Sequence, residues 1–173
     1  MTRPTQPLRE EHRDLLPRLE GLKSTADAVG EAAGGPLREA IDACHDFLTH
    51  MLIPHAYAED RALYPAVARL MGAPEATATM SRDHIEVGRL TEQLGSLKSQ
   101  LAATGPTKAQ ARELRRVLYG LYALVKVHFA KEEEIYLPLL DAHLSADDAR
   151  QMFEAMEKAA GEVKGHAHQH VHR

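Results

Sequence analysis

Thiol chemistry is nearly absent from this chain: Cys44 is its one cysteine in 173 residues. That excludes an intrachain disulfide and a thiolate metal cluster, and it fits a reducing compartment. Cys44 stands in an apolar stripe, where it reads as a small buried hydrophobe. Charge of one sign is scarce too. The 21 Lys and Arg are scattered among 25 Asp and Glu, so no basic stripe recommends nucleic acid or an anionic membrane. Long apolar runs are missing. The opening MTRPTQPLREEHRDLL has no signal-type core, and the stretch Val117 to Phe129 is broken by Lys126 and His128. It falls short of the roughly 18 residues a spanning helix needs. The expectation is a cytoplasmic protein with neither nucleic acid nor membrane as partner.

No period-two stretch argues for strands, whereas 44% hydrophobic residues suffice for one core. Proline marks four helix starts, Pro7, Pro36, Pro74 and Pro106, with glycines ahead of several of them. The predicted helices span about 7–29, 36–70, 74–103 and 106–142. Short connections make neighbours antiparallel, so the expected fold is all-α, an up-down-up-down four-helix bundle. Ser145-Ala-Asp-Asp148 reads as a capping box opening an extra helix over about 145–162, with Met152, Phe153 and Met156 on one side. The domain is placed at 1–163 and a disordered tail at 164–173, where His166, His168, His170 and His172 alternate and bind metals loosely.

The chain repeats a motif in register. His12 precedes His55-Ala-Tyr-Ala-Glu59, and His84 precedes His128-Phe-Ala-Lys-Glu132. Apolar residues repeat with it: Ile41, Cys44, Leu48, Met51 and Leu52 lead to His55, and Leu114, Val117, Leu121, Leu124 and Val125 lead to His128. Their spacing of three, four and seven puts stripe and His/Glu pair on one inward face of each helix. The chain therefore reads as a duplicated helical pair.

Burying histidines and carboxylates beside leucines costs several kcal/mol unless each is paired, hydrogen-bonded or metal-bound. Imidazole nitrogen with carboxylate oxygen suits iron, zinc or manganese. Six such side chains exceed one tetrahedral zinc and match two metals sharing carboxylates. Pro65 and Pro138 each lie six residues past a motif glutamate and are expected to kink or end their helices at matching levels. Pro54 has no counterpart in the second half and would rotate His55, Tyr57 and Glu59 relative to the stripe behind them.

These motifs resemble the hemerythrin-like family, the His-His-Glu cation-binding domain, over about residues 8–142, including the Leu-Tyr-Pro and Tyr-Leu-Pro sequences after the two glutamates. The resemblance implies two iron ions held by His12, His55, His84 and His128, bridged by Glu59, Glu132 and an oxo or hydroxo group. It implies dioxygen, peroxide and nitric oxide as ligands. Oxygen-carrying members have a further histidine four residues after the helix-3 histidine; here Gly88 stands there. Tyr57, without a counterpart in the second half, is the candidate to ligate or hydrogen-bond one iron in its place and to serve catalysis.

The leading expectation is therefore a diiron oxidoreductase that consumes nitric oxide or peroxide, as a monomer or weak homodimer. Alternatives are reversible dioxygen binding or sensing, and a structural or regulatory metal-binding bundle. His45, His50 and His143 read as edge or solvent residues, and Glu133 and Glu134 as a solvated helix end.

Overall fold

The computed structural model describes residues 3–31 and 34–169, with side chains placed to residue 163, and among them every named element is helical. The helices are α1 (Gln6–Ala28), α2 (Gly34–Phe47), α3 (Ile53–Ala58), α4 (Tyr64–Met71), α5 (Ala78–Ser99), α6 (Lys108–Lys131), α7 (Leu137–His143) and α8 (Ala146–Gln169). Of the expected disordered tail, 170–173 lie outside the described residues, and 164–169 continue the backbone of α8.

Three π-helical turns join shorter pieces into long runs. Leu48–Leu52 links α2 to α3, Glu59–Leu63 links α3 to α4, and Glu132–Tyr136 links α6 to α7. Pro54, Pro65 and Pro138 each stand in the first turn after one of them. The expectation that Pro65 and Pro138 end or kink their helices is thereby refined. Proline lacks an N–H and its ring collides with the carbonyl four residues back. Here those carbonyls, of His50, Arg61 and Glu134, all belong to π-turns, where bonding shifts to the fifth residue. The inserted residue absorbs the proline, and helicity continues through it. The turn before Pro54 is the one lacking a repeat partner, as Pro54 does.

α1 packs on α2 and α6, and α5 packs on α6, α2 and α3, which closes a ring of four helical runs. The two stripes read from the sequence meet inside it, where Ile41, Leu48, Leu114 and Leu121 are fully buried together with Leu19, Leu22, Leu94 and Leu118. A second apolar cluster joins Leu63, Val67, Met80, Leu137 and Leu140 to Met152 and Met156 of α8, which lies against α3 and the Glu59–Leu63 turn. The extra helix thus covers its own chain. It opens on Ser145, whose Oγ accepts the Asp148 N–H at 3.1 Å.

The start of α6 moves from the expected Pro106 to Lys108, because Thr107 is the better cap. Its hydroxyl oxygen accepts the Gln110 N–H at 3.2 Å, while the Gln110 side chain accepts the Thr107 N–H at 2.9 Å. At the other end of the second run Gly72 closes α4 with φ +64°, a conformation glycine adopts freely.

Candidate metal centre

The duplicated stripes carry six polar side chains between the two apolar clusters. His12 comes from α1, His55 from α3, His84 from α5 and His128 from α6, while Glu59 and Glu132 open their π-turns. Both glutamates are 0% exposed, and His12, His55 and His128 are buried with them; His84 lies at the margin. In α1 the cause is plain: Leu8, Leu15 and Leu19 flank His12 at helical spacing and take it inward.

Each oxygen of Glu59 faces a different histidine pair. Oε1 lies 3.0 Å from His55 Nε2 and 3.7 Å from His12 Nε2, and Oε2 lies 3.2 Å from His84 Nε2 and 3.9 Å from His128 Nε2. Glu132 repeats the pattern, with Oε2 3.4 Å from His12 Nε2 and Oε1 3.5 Å from His128 Nε2. Two sets of ligand atoms, His12–His55–Glu59 and Glu59–His84–His128, each fall within 4.8 Å and share Glu59. The Nε2 atoms of His84 and His128 approach to 3.0 Å. Despite these distances His12 Nε2, His55 Nε2, both Glu59 oxygens and Glu132 Oε2 are buried without a hydrogen-bond partner. Lone pairs that converge without bonding one another, at a cost of about 1–3 kcal/mol each, fit a cation between them. The donor chemistry fits iron, and equally manganese or zinc.

Behind the cluster stands a ring of carboxylates. His12 Nδ1 meets Glu133 Oε1 at 2.9 Å, His84 Nδ1 meets Asp60 Oδ2 at 2.9 Å, and His128 Nδ1 meets Asp83 Oδ2 at 3.0 Å. Glu11 Oε1 lies 3.0 Å from His55 Nδ1, though out of line for a hydrogen bond. Each carboxylate neighbours one cluster residue in sequence and serves a histidine on the next run, so the ring closes around all four. A carboxylate at Nδ1 leaves Nε2 as the free donor atom and strengthens it as a ligand. Arg9 pairs with Glu133, Ser81 donates to Asp60 at 2.5 Å, and Lys131 pairs with Asp83, so three of the four are held from behind. Sequence reasoning had set Glu133 aside as a solvated residue, and Glu11 and Asp60 were missed. The available signal was an acidic residue directly beside a motif residue on every run.

Tyr57 is not brought to the cluster. Its ring packs on the apolar cluster under α8 with the Arg61 guanidinium 5.6 Å from its centroid. The hydroxyl that arrives belongs to Tyr64, which donates to Glu132 Oε1 at 2.7 Å and lies 3.0 Å from His128 Nε2 and 3.4 Å from His84 Nε2. On a continuous α-helix Tyr64 would point about 140° away from Glu59. A π-turn inserts one residue, so the fifth residue past Glu59 takes the place of an i+4 neighbour.

Burial alone would lower the pKa of His55, but Glu59 and Glu11 outweigh it and hold it well above the ordinary imidazole value. His84 is raised against burial by Asp60 and Glu59, and His128 against burial by Glu132 and Glu59 to about 10. Burial pushes Glu59 up, yet His55, His12 and His128 carry it well below the carboxylate range. Glu11 is lowered, its partial burial outweighed by His55. Tyr64 moves far upward through burial and the nearby Glu59 and Glu132, so its hydroxyl stays protonated.

A cavity of about 10 Å³ adjoins the cluster, lined by Leu52, Ala56, Val87, Val125 and Phe129 beside the site residues. It has room for little beyond a water-sized molecule. At Gly88 a Cβ would meet nothing within 4 Å, while Glu86 turns away to pair with Arg89. His50 and His143 bond backbone carbonyls of their own helices, and buried Cys44 shares a contact with Thr25. No described helix is long and apolar enough to cross a membrane.

Residues 3–140 match the family described as hemerythrin HHE cation binding domain. Neither a curated protein nor a solved structure matches the chain.

Proposed function

The chain belongs to the hemerythrin HHE cation-binding family, and from that premise we propose that its buried cluster holds two iron ions and consumes nitric oxide or peroxide. The observation that carries the dinuclear reading is Glu59, whose two oxygens face different histidine pairs. His12 and His55 would hold one ion and His84 and His128 the other, with Glu59 and Glu132 reaching both histidine pairs. Bound iron would supply Lewis-acid activation and two electrons to the small ligand, with an external one-electron donor returning the irons to the reduced state after each turnover.

The remaining work falls to the chain. The apolar walls of the 10 Å³ cavity exclude large substrates and most water. Tyr64 keeps its hydroxyl protonated next to His128 and Glu132, where it can donate a hydrogen bond to a small ligand and orient it. At Gly88, where oxygen carriers place a histidine, the chain offers no side chain that could hold a metal, which supports turnover over storage. The ring of helical runs serves as an up-down-up-down bundle, working in the cytoplasm as a monomer or weak homodimer.

The test is metal content and an optical spectrum on full-length protein whose tail histidines His166, His168, His170 and His172 are replaced by asparagine, followed by nitric oxide and peroxide. Two irons per chain and consumption of either molecule is the expected result. One zinc, or no metal with an unaltered fold, would overturn it.

A further inference from the structure

One link of the carboxylate ring differs from the others. His55 is 3% exposed, yet its Nδ1 has no hydrogen-bond partner. Glu11 beside it is about half exposed, and no second side chain holds it among the described residues. Both line a groove of about 440 Å³ between α1, α3 and α8, together with Pro7, Phe153, Glu157 and Gly161. The ionisable groups facing it are the imidazole and two carboxylates. On the other side of α1, by contrast, the groove beside His12 has Arg9, Arg13 and Lys126 on its walls, and there the histidine nitrogen is already bonded to Glu133.

We propose that the groove between α1 and α8 is the loading port through which a divalent cation reaches the buried cluster, with Glu11 and Glu157 as its transient ligands and His55 as its inner wall. Two carboxylates at the mouth attract a cation and exchange it readily, because neither is buried deeply enough to retain it. Swinging Glu11 outward gives up only its 3.0 Å contact with His55 Nδ1, with nothing behind it, whereas moving Glu133, Asp60 or Asp83 would break a bond to an imidazole and a second one behind it. The port depends on α8, which begins past residue 140 and so lies outside the family match. In the sequence the histidine tract begins at His166, five residues after Gly161. The inference rests on the cluster being a metal site.

Cobalt(II) is the probe, since its visible bands report binding to imidazole and carboxylate. Metal-free, full-length protein with the four tail histidines replaced by asparagine is mixed with cobalt in a stopped-flow cell. Glu157→Gln, at the mouth and outside the carboxylate ring, is expected to slow band growth about threefold while leaving the final intensity unchanged. Gly161→Leu, at a position where an added Cβ meets nothing within 4 Å, is expected to slow it too by filling the groove. Loading at the parent rate in both variants would overturn the port and leave the metal site standing. Absence of cobalt bands in the parent protein would overturn both.

Discussion

Tyr64 and Glu132, 68 residues apart, are joined by a 2.7 Å hydrogen bond at the centre of the cluster. The bond exists because each residue belongs to a π-turn or its edge. Tyr64 follows the turn that Glu59 opens, and Glu132 opens the matching turn on the opposite run. On the dinuclear proposal, Tyr64→Phe should retain both metals and the fold, losing about 1 kcal/mol of stability. Peroxide consumption should fall by about 10-fold, the scale of a lost hydrogen bond to the ligand. Tyr57→Phe, away from the cluster, should leave turnover unchanged. Steady-state rates on the two variants decide it, and the reverse pattern would return the role to Tyr57.

Glu59 is the one residue common to both ligand sets. Glu59→Gln, which keeps the volume and removes the charge, is expected to abolish binding of both ions. His55→Gln should cost the ion nearer to it and spare the His84–His128 side. Metal counting by emission spectrometry separates the cases, and retention of two ions in Glu59→Gln would exclude a shared bridge.

The carboxylate ring predicts a subtler loss. Asp60→Asn keeps a hydrogen-bonding side chain between Ser81 and His84 but removes the negative charge from His84 Nδ1. Metal affinity should drop by about 10- to 100-fold with the stoichiometry intact. Competition with a chelator gives that ratio, and an unchanged affinity would reduce the ring to packing.

What the sequence made legible was what periodicity governs. His12, His55, His84 and His128 share inward faces with leucines, and an i,i+4 glutamate follows on two of them, so stripe and cluster could be read together. Tyr64 escaped because its approach depends on one inserted residue, which no 3.6-residue pattern registers. Tyr57 was favoured in its place on the strength of the Pro54 break. The break exists as a π-turn, yet Tyr57 still faces α8. Glu11, Asp60 and Glu133 escaped for another reason: each acts across to the next helical run, a pairing that only the packed ring of helices creates. From the sequence Gly34 reads only as one of the glycines ahead of Pro36.

That glycine is in fact a packing site. A Cβ on Gly34 would stand 2.5 Å from the Ala103 carbonyl oxygen and 3.0 Å from the Gly105 nitrogen, both backbone atoms that cannot step aside. Gly34→Ala is expected to destabilise by about 1–3 kcal/mol. At Gly35 nothing lies within 4 Å, so Gly35→Ala should stabilise by about 0.5–1 kcal/mol through a less flexible unfolded chain. Thermal unfolding of the two variants should move in opposite directions.

Protons and metal ions compete for the same imidazoles, which fixes the sign of the pH dependence. In metal-free protein the raised pKa values of His55, His84 and His128 stabilise the fold fully below the unfolded value of 6.5. That stabilisation is lost as pH rises, for His128 through about 10. Glu59, held low, contributes above its unfolded value of 4.5 and stops contributing as pH falls through its own lowered value. The melting temperature of metal-free protein should thus decline steadily from about pH 6 to pH 9. Metal binding expels those protons, so affinity rises over the same range and the stabilisation by added metal should widen. Parallel melting curves with and without metal across that range would show that the histidines are not where the metal binds.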